Sequence, residues 1–169
     1  MSRQADNGLP AVLDGVAFAN EGAVAAGVVA VAALPRLVEG LADDGGSLEC
    51  RVTGSRDGDG KCWLALEVSG TLGLVCQRCL NRLAFPVEIR TRLLLVPPGQ
   101  AWPDEELAED GFDAVAAEKE MALLSVIEDE VLLALPIAPM HETCATPVPV
   151  VEEHEPSPFA VLAKLKKGV

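Results

Sequence analysis

The chain has 169 residues, half of them apolar but only 4% aromatic and none tyrosine, so one domain over residues 1–169 with a core of Ala, Val and Leu is expected. A formal charge of −13 repels phosphate backbones and argues against a general nucleic-acid binder. The five cysteines are an odd number in a chain that can bury a core without staples, which favours reduced thiols or a metal site over a disulfide framework.

Residues 1–15 are polar, carry Gly and Pro, and are expected to be loosely held. Val24–Ala32 then reads as a small-residue strand leading into a short helix around Pro35–Ala42, with the proline at the favourable helix start. From Leu48 to Val96 the pattern is β: "LECRVTG", "KCWLALEVSGTLGLVC" and "LAFPVEIRTRLLLV", separated by a turn carrying Asp59-Gly60 and by the CxxC of "LVCQRCL". In the last strand Val87, Ile89 and Leu93 interleave with Glu88, Arg90 and Arg92, so one face is buried and the other is wet. Residues 97–120 form an acidic connection, read as mobile. "SVIEDEVLLALP" is the best helix, with Ser125 as N-cap, Glu128 at the capping-box spacing, and Glu128, Asp129 and Glu130 in the first turn. Its stripe of Leu124, Ile127, Val131, Leu132 and Leu135 should pack on the sheet, and Pro136 stops it. Residues 145–158 are an extended Pro-rich tail, and "SPFAVLAKLKKG" reads as a closing helix. The expected fold is α+β, a curved antiparallel sheet or partly open barrel-like sheet packed by the C-terminal helix, with short flanking helices.

The run Ala23–Leu34 is too short to span a bilayer, and no convincing secretory signal precedes it. The chain therefore reads as cytoplasmic, without a membrane partner. No P-loop, GxGxxG, HExxH or GxSxG is present, so no small-molecule substrate is implied and an enzyme is not expected.

Three readings of Cys76 and Cys79 stay open. A redox pair should open a helix whose N-terminus acidifies the thiol, but Pro86 and a strand follow here. A zinc site needs two more ligands, and "MHETC" offers His141 and Cys144 in HxxC spacing. Free thiols, with His141 and Cys144 unrelated to the pair, are narrowly preferred over a bound metal. No cofactor is required by any motif; zinc is the one this donor set would take. Cys50 and Cys62 fall within strands and read as small core residues.

Residues 51–92 hold seven Lys/Arg against four Asp/Glu, whereas residues 104–130 hold eleven acids against Lys119 alone. Arg78 and Arg82 flank the CxxC, and Arg90 and Arg92 alternate along the next strand, a basic surface suited to an RNA phosphate or an acidic protein segment. Neutralisation of the protein's own acids is an equally good account of them.

"LVCQRCL" before a strand, "VIEDEVLLALPIAPMHETC" and a closing "PFAVLAKLKK", in that order, resemble the bacterial YceD family, the large ribosomal RNA subunit accumulation proteins. The likeness covers residues 76–167, and "VVAVAALPRL" looks like the family's N-terminal part. Cys76, Arg78 and Cys79 match the CxRC block, and Glu128, Asp129 and Glu130 the acidic start of the helix. The resemblance implies a cytoplasmic, non-enzymatic protein that supports synthesis, processing or stability of 23S ribosomal RNA. Its partners would be that RNA or its precursor, a basic ribosomal protein, or both. Some members carry more cysteines after the helix, where this chain has Cys144 alone with His141 nearby. A zinc- or thiol-dependent regulatory module unrelated to ribosomes is the rival reading.

Overall fold

Alternation of apolar and polar residues along three long segments builds the centre of the molecule. In the computed structural model, which describes residues 8–103 and 112–147, these segments are β3 (Ser47–Arg56), β4 (Cys62–Val75) and β5 (Arg82–Val96). Before them come β1 (Val12–Leu13), α1 (Gly15–Asn20), β2 (Val24–Ala30), a 3-10 turn (Val31–Ala33) and α2 (Pro35–Val38). After them come β6 (Asp113–Ala116), β7 (Met121–Ala122) and α3 (Leu123–Ala134). The sheet runs β2-β3-β4-β5-β6, antiparallel except for the parallel β5–β6 pair, and β1 pairs with β7 in a separate two-stranded ladder. The α+β expectation holds, with an open sheet.

Register puts like with like. Cys50, Val68 and Ile89 lie in one row across β3, β4 and β5, and Gly54, Leu64 and Leu93 in another, all on the buried face. That face is covered by α1, and by α3 through Ile127 and Val131, in one apolar cluster. Gly54 is needed where α1 crosses: a Cβ there would come within 2.5 Å of the Phe18 carbonyl oxygen. At the far end of β5, Leu94 and Val96 point to the other face and are covered by Trp63, with Phe112 edge-on to its ring at 5.0 Å. The expected turn at Asp59-Gly60 is present. The Asp57 carboxylate closes it, accepting from the backbone of Asp59 and Lys61 and from the Trp63 indole.

Four expectations change. Residues 8–15 are packed, since Leu9 and Leu13 are buried and β1 is paired. Within the acidic connection, residues 112–120 are structured, because β6 adds to the β5 edge; residues 104–111 lie outside the described residues. The helix α3 starts at Leu123, two residues before Ser125, and no side chain caps it. The Ala11 carbonyl accepts from the Leu123 N–H, so backbone delivered by β1 and β7 does what a capping serine would do. Glu128, Asp129 and Glu130 therefore sit in mid-helix, not in the first turn. The closing helix and residues 148–158 of the tail lie outside the described residues.

Candidate metal centre at the hairpin tip

The CxxC is the turn between β4 and β5. The Leu80 N–H donates to the Cys76 carbonyl, and the Cys76 N–H to the Asn81 carbonyl, both at 2.9 Å. This tight turn aims both thiols inward, where they are buried. Pro136 follows the end of α3, and the chain beyond it returns to the hairpin: the Gln77 N–H donates to the Pro139 carbonyl at 2.8 Å. His141 and Cys144 are thereby set against the cysteine pair. Cys76 Sγ lies 3.8 Å from Cys144 Sγ, and Cys79 Sγ lies 3.3 Å from His141 Nδ1. The ligand atoms of Cys76, Cys79, His141 and Cys144 all fall within 4.8 Å of one another. The four residues form a group that could hold a metal ion, and His141 and Cys144 are not unrelated to the pair as the free-thiol reading had them.

The donor set fits. In a tetrahedral zinc site with Zn–S bonds of about 2.3 Å, sulfur atoms are separated by roughly 3.8 Å, and a sulfur and an imidazole nitrogen by roughly 3.5 Å. Electrostatics agree with ligand duty. Burial pushes the Cys76 thiol up, but backbone N–H groups of Cys79, His141 and Arg78 aimed at the sulfur overcome this and lower it to about 5. Burial and the neighbouring Cys79 and Cys76 sulfurs push Cys144 up. A cation among these sulfurs would remove that conflict. No helix starts at the CxxC, which is followed by β5, so the helix N-terminus that a redox pair uses is absent from this turn. Cys50 and Cys62 are core residues as expected, with burial pushing Cys50 up to about 11.

The four arginines do not form one patch. Arg78 and Arg82 stand at the hairpin tip, whereas Arg90 and Arg92 lie roughly 25–35 Å further along β5. Arg82 pairs with Asp43, Arg90 with Glu88 at 2.9 Å, and the Arg92 guanidinium lies 4.6 Å from the centre of the Trp63 ring. The outer face near Arg90 is a shallow concavity of about 560 Å³ lined by Glu49, Arg51, Glu67, Glu88 and Arg90, and its charges largely pair among themselves. Among the described residues, Arg78 alone of the four has neither a carboxylate nor an aromatic ring as partner; its Nη2 lies 3.9 Å from Met140 Sδ.

A second polar tie was not foreseen. Glu128 is only 4% exposed, and its carboxylate accepts from the Leu37 N–H at 3.0 Å and from Arg36 Nε at 2.9 Å. Arg36 also reaches Asp129 at 2.6 Å. Burial raises the Glu128 carboxyl, but the Leu37 N–H and Arg36 hold it below its ordinary value. Glu130, half-buried and near Asp113, is pushed up. The only signal for Arg36 was the "ALPRL" segment, since a buried carboxylate needs a donor from somewhere.

An open five-stranded sheet backed by helices, with a three-cysteine, one-histidine group joining a hairpin tip to the segment after α3, defines a small α+β protein with a candidate structural metal centre. The family model of the large ribosomal RNA subunit accumulation protein YceD matches residues 64–166, and the chain belongs to the YceD family. It is similar to the Large ribosomal RNA subunit accumulation protein YceD of Haemophilus influenzae, with 28% identity over 113 residues, 60% of this chain and 63% of that protein. The chain thus spans less than two thirds of that relative's length. No solved structure matches. No helix among the described residues is long and apolar enough to cross a membrane.

Proposed function

We propose that this protein supports accumulation of large-subunit ribosomal RNA as a non-enzymatic factor, acting through contacts to that RNA or to a basic ribosomal protein. The observation that carries the reading is the coincidence of the YceD match with the hairpin tip: the matched segment contains the CxRC turn, α3 and both later ligands. Zinc is the metal the donor set suits, held by Cys76, Cys79, His141 and Cys144. It would act structurally, since four protein ligands leave no open position for a substrate. The clamp would fix the tip so that Arg78 and its neighbours are presented in one arrangement. A thiol-dependent regulatory module has one observation in its favour, the lowered Cys76 thiol.

The test is the ratio of large- to small-subunit ribosomal RNA in cells depleted of the protein, with wild type or Cys76→Ser/Cys79→Ser re-expressed. The proposal expects a fall that wild type rescues and the double variant does not. A ratio that stays level through complete depletion would contradict it and bring the thiol module forward.

A further inference from the structure

The three thiols of the Cys76, Cys79, His141 and Cys144 group differ in access and in neighbours. Cys76 and Cys79 are buried, and Cys144 alone of the three is partly exposed. Cys144 also lies in irregular chain beyond α3, outside any helix or strand, so it can shift without disturbing the β4–β5 ladder. Its sulfur is already in contact with Cys76 Sγ at 3.8 Å, and a disulfide bond of about 2.05 Å needs only that gap closed. The Cys79 sulfur instead has the His141 ring beside it at 3.3 Å, and the CxxC turn is fixed by the backbone bonds of Cys76 to Leu80 and Asn81. A thiolate that holds a metal remains the form of cysteine that oxidants attack.

We infer that the centre is redox-responsive: hydrogen peroxide oxidises Cys144, Cys76 resolves it to a disulfide, and the metal leaves, exchanging a metal tie for a covalent one. In the first step the Cys144 thiolate attacks one peroxide oxygen. The O–O bond breaks, the other oxygen leaves as hydroxide and takes a proton, and Cys144 becomes a sulfenic acid. The Cys76 thiolate then attacks that sulfur; the S–S bond forms, the S–O bond breaks and a second hydroxide leaves and is protonated. Two thiolates have given up two electrons and one peroxide has become two waters. Zinc would lose two of its four ligands, and Cys79 with His141 would not make a tetrahedral site alone. The disulfide joins residues 68 apart in the sequence and ties the same two segments as the metal, the hairpin tip and the chain after α3. Its formation also protects Cys144 from irreversible oxidation beyond the sulfenic acid. This inference rests on the metal reading of the proposed function and not on its ribosomal part.

The test treats the purified, zinc-bound full chain with hydrogen peroxide, follows zinc release with a chromogenic chelator, and maps disulfides by mass spectrometry without reduction. Zinc release should be at least tenfold faster with peroxide than without, with two thiols lost per zinc and a Cys76–Cys144 peptide pair as the product. A dimedone probe present during oxidation should label Cys144, and a dithiol reductant should restore zinc binding. Amide protection of residues 76–82 should persist in the oxidised, zinc-free chain but be lost when a chelator strips zinc from the reduced one. A disulfide confined to Cys76–Cys79, dimedone on Cys76 or Cys79 instead of Cys144, zinc release without any disulfide, or thiols and zinc untouched by peroxide would each overturn the inference. A zinc-bound chain that forms no Cys76–Cys144 link would sink the exchange and leave the metal reading standing. A chain with no zinc to release would sink the metal reading and the exchange with it.

Discussion

The β4–β5 hairpin has two ends built on different physics. At the end near Cys62 and Leu95, Leu64, Leu93 and Leu95 sit in the apolar core, and Trp63 with Leu94 and Val96 closes the other face. That end is held by surface removed from water, which is indifferent to protons, thiol chemistry and metal. At the other end the tip is held by Cys76 and Cys79 against His141 and Cys144, four groups whose state depends on pH, oxidant and metal supply. One ladder therefore joins a permanent end to a conditional one, and a protein built so can keep its fold while its tip is ordered or released.

The largest stability change should come from the permanent end. Leu64→Ala removes a fully buried side chain from the middle of the sheet and should cost about 3 kcal/mol, with the same loss measured in chelator and in added zinc. Denaturant unfolding under both conditions checks this, and a chelator-dependent loss would break the contrast. Cys79→Ser should instead act locally. Metal content should fall by tenfold or more, and amide protection should be lost in residues 76–82 and 137–144 while β3 and the near half of β4 keep theirs. Hydrogen exchange of the two proteins decides it, and protection lost evenly over the sheet would mean the ends are not separable.

The tie through Glu128 is smaller, and it is polar although it lies in the buried body of the fold, away from the thiols. Glu128→Ala leaves the Leu37 N–H without its acceptor and should cost about 2 kcal/mol, whereas Glu128→Gln keeps an acceptor and should cost less. The pH dependence has a definite sign. The carboxyl is lowered in the folded chain, so its contribution is complete above the unfolded value near 4.5 and is lost as pH falls through the lowered folded value. Wild type and Glu128→Ala should therefore converge in stability on acidification below about pH 4. A gap that stayed constant to pH 2 would mean the carboxylate charge is not what stabilises.

Legibility in the sequence follows the same division. The three long strands could be read because a period of two along "VEIRTRL" is local, and the CxxC turn because it falls between two such runs. The capping box at Ser125 and Glu128 was a misreading for a local reason: the pattern is valid, but it cannot register that the Ala11 carbonyl already meets the helix start. Nor can local pattern show why Glu128 is buried, since its partner Arg36 is 92 residues away. The site was half legible. Both halves of the donor set were visible as CxxC and HxxC, but 62 residues separate Cys79 from His141, and only the return of the chain after Pro136 brings them together. The arginines show the converse error: alternation along a strand suggested one basic surface, whereas the length of β5 and the partners Asp43, Glu88 and Trp63 divide it.

Cys76, Cys79, His141 and Cys144 are proposed to close the tip around one metal ion, with three thiolates and one imidazole as its ligands. X-ray absorption at the zinc edge of the purified full-length chain tests it most directly. About one zinc per chain is expected, with three sulfur neighbours at about 2.3 Å and one nitrogen at about 2.0 Å, and with one sulfur fewer in Cys144→Ser. A chain without zinc when purified in its presence, or a shell of oxygen and nitrogen alone, would contradict it.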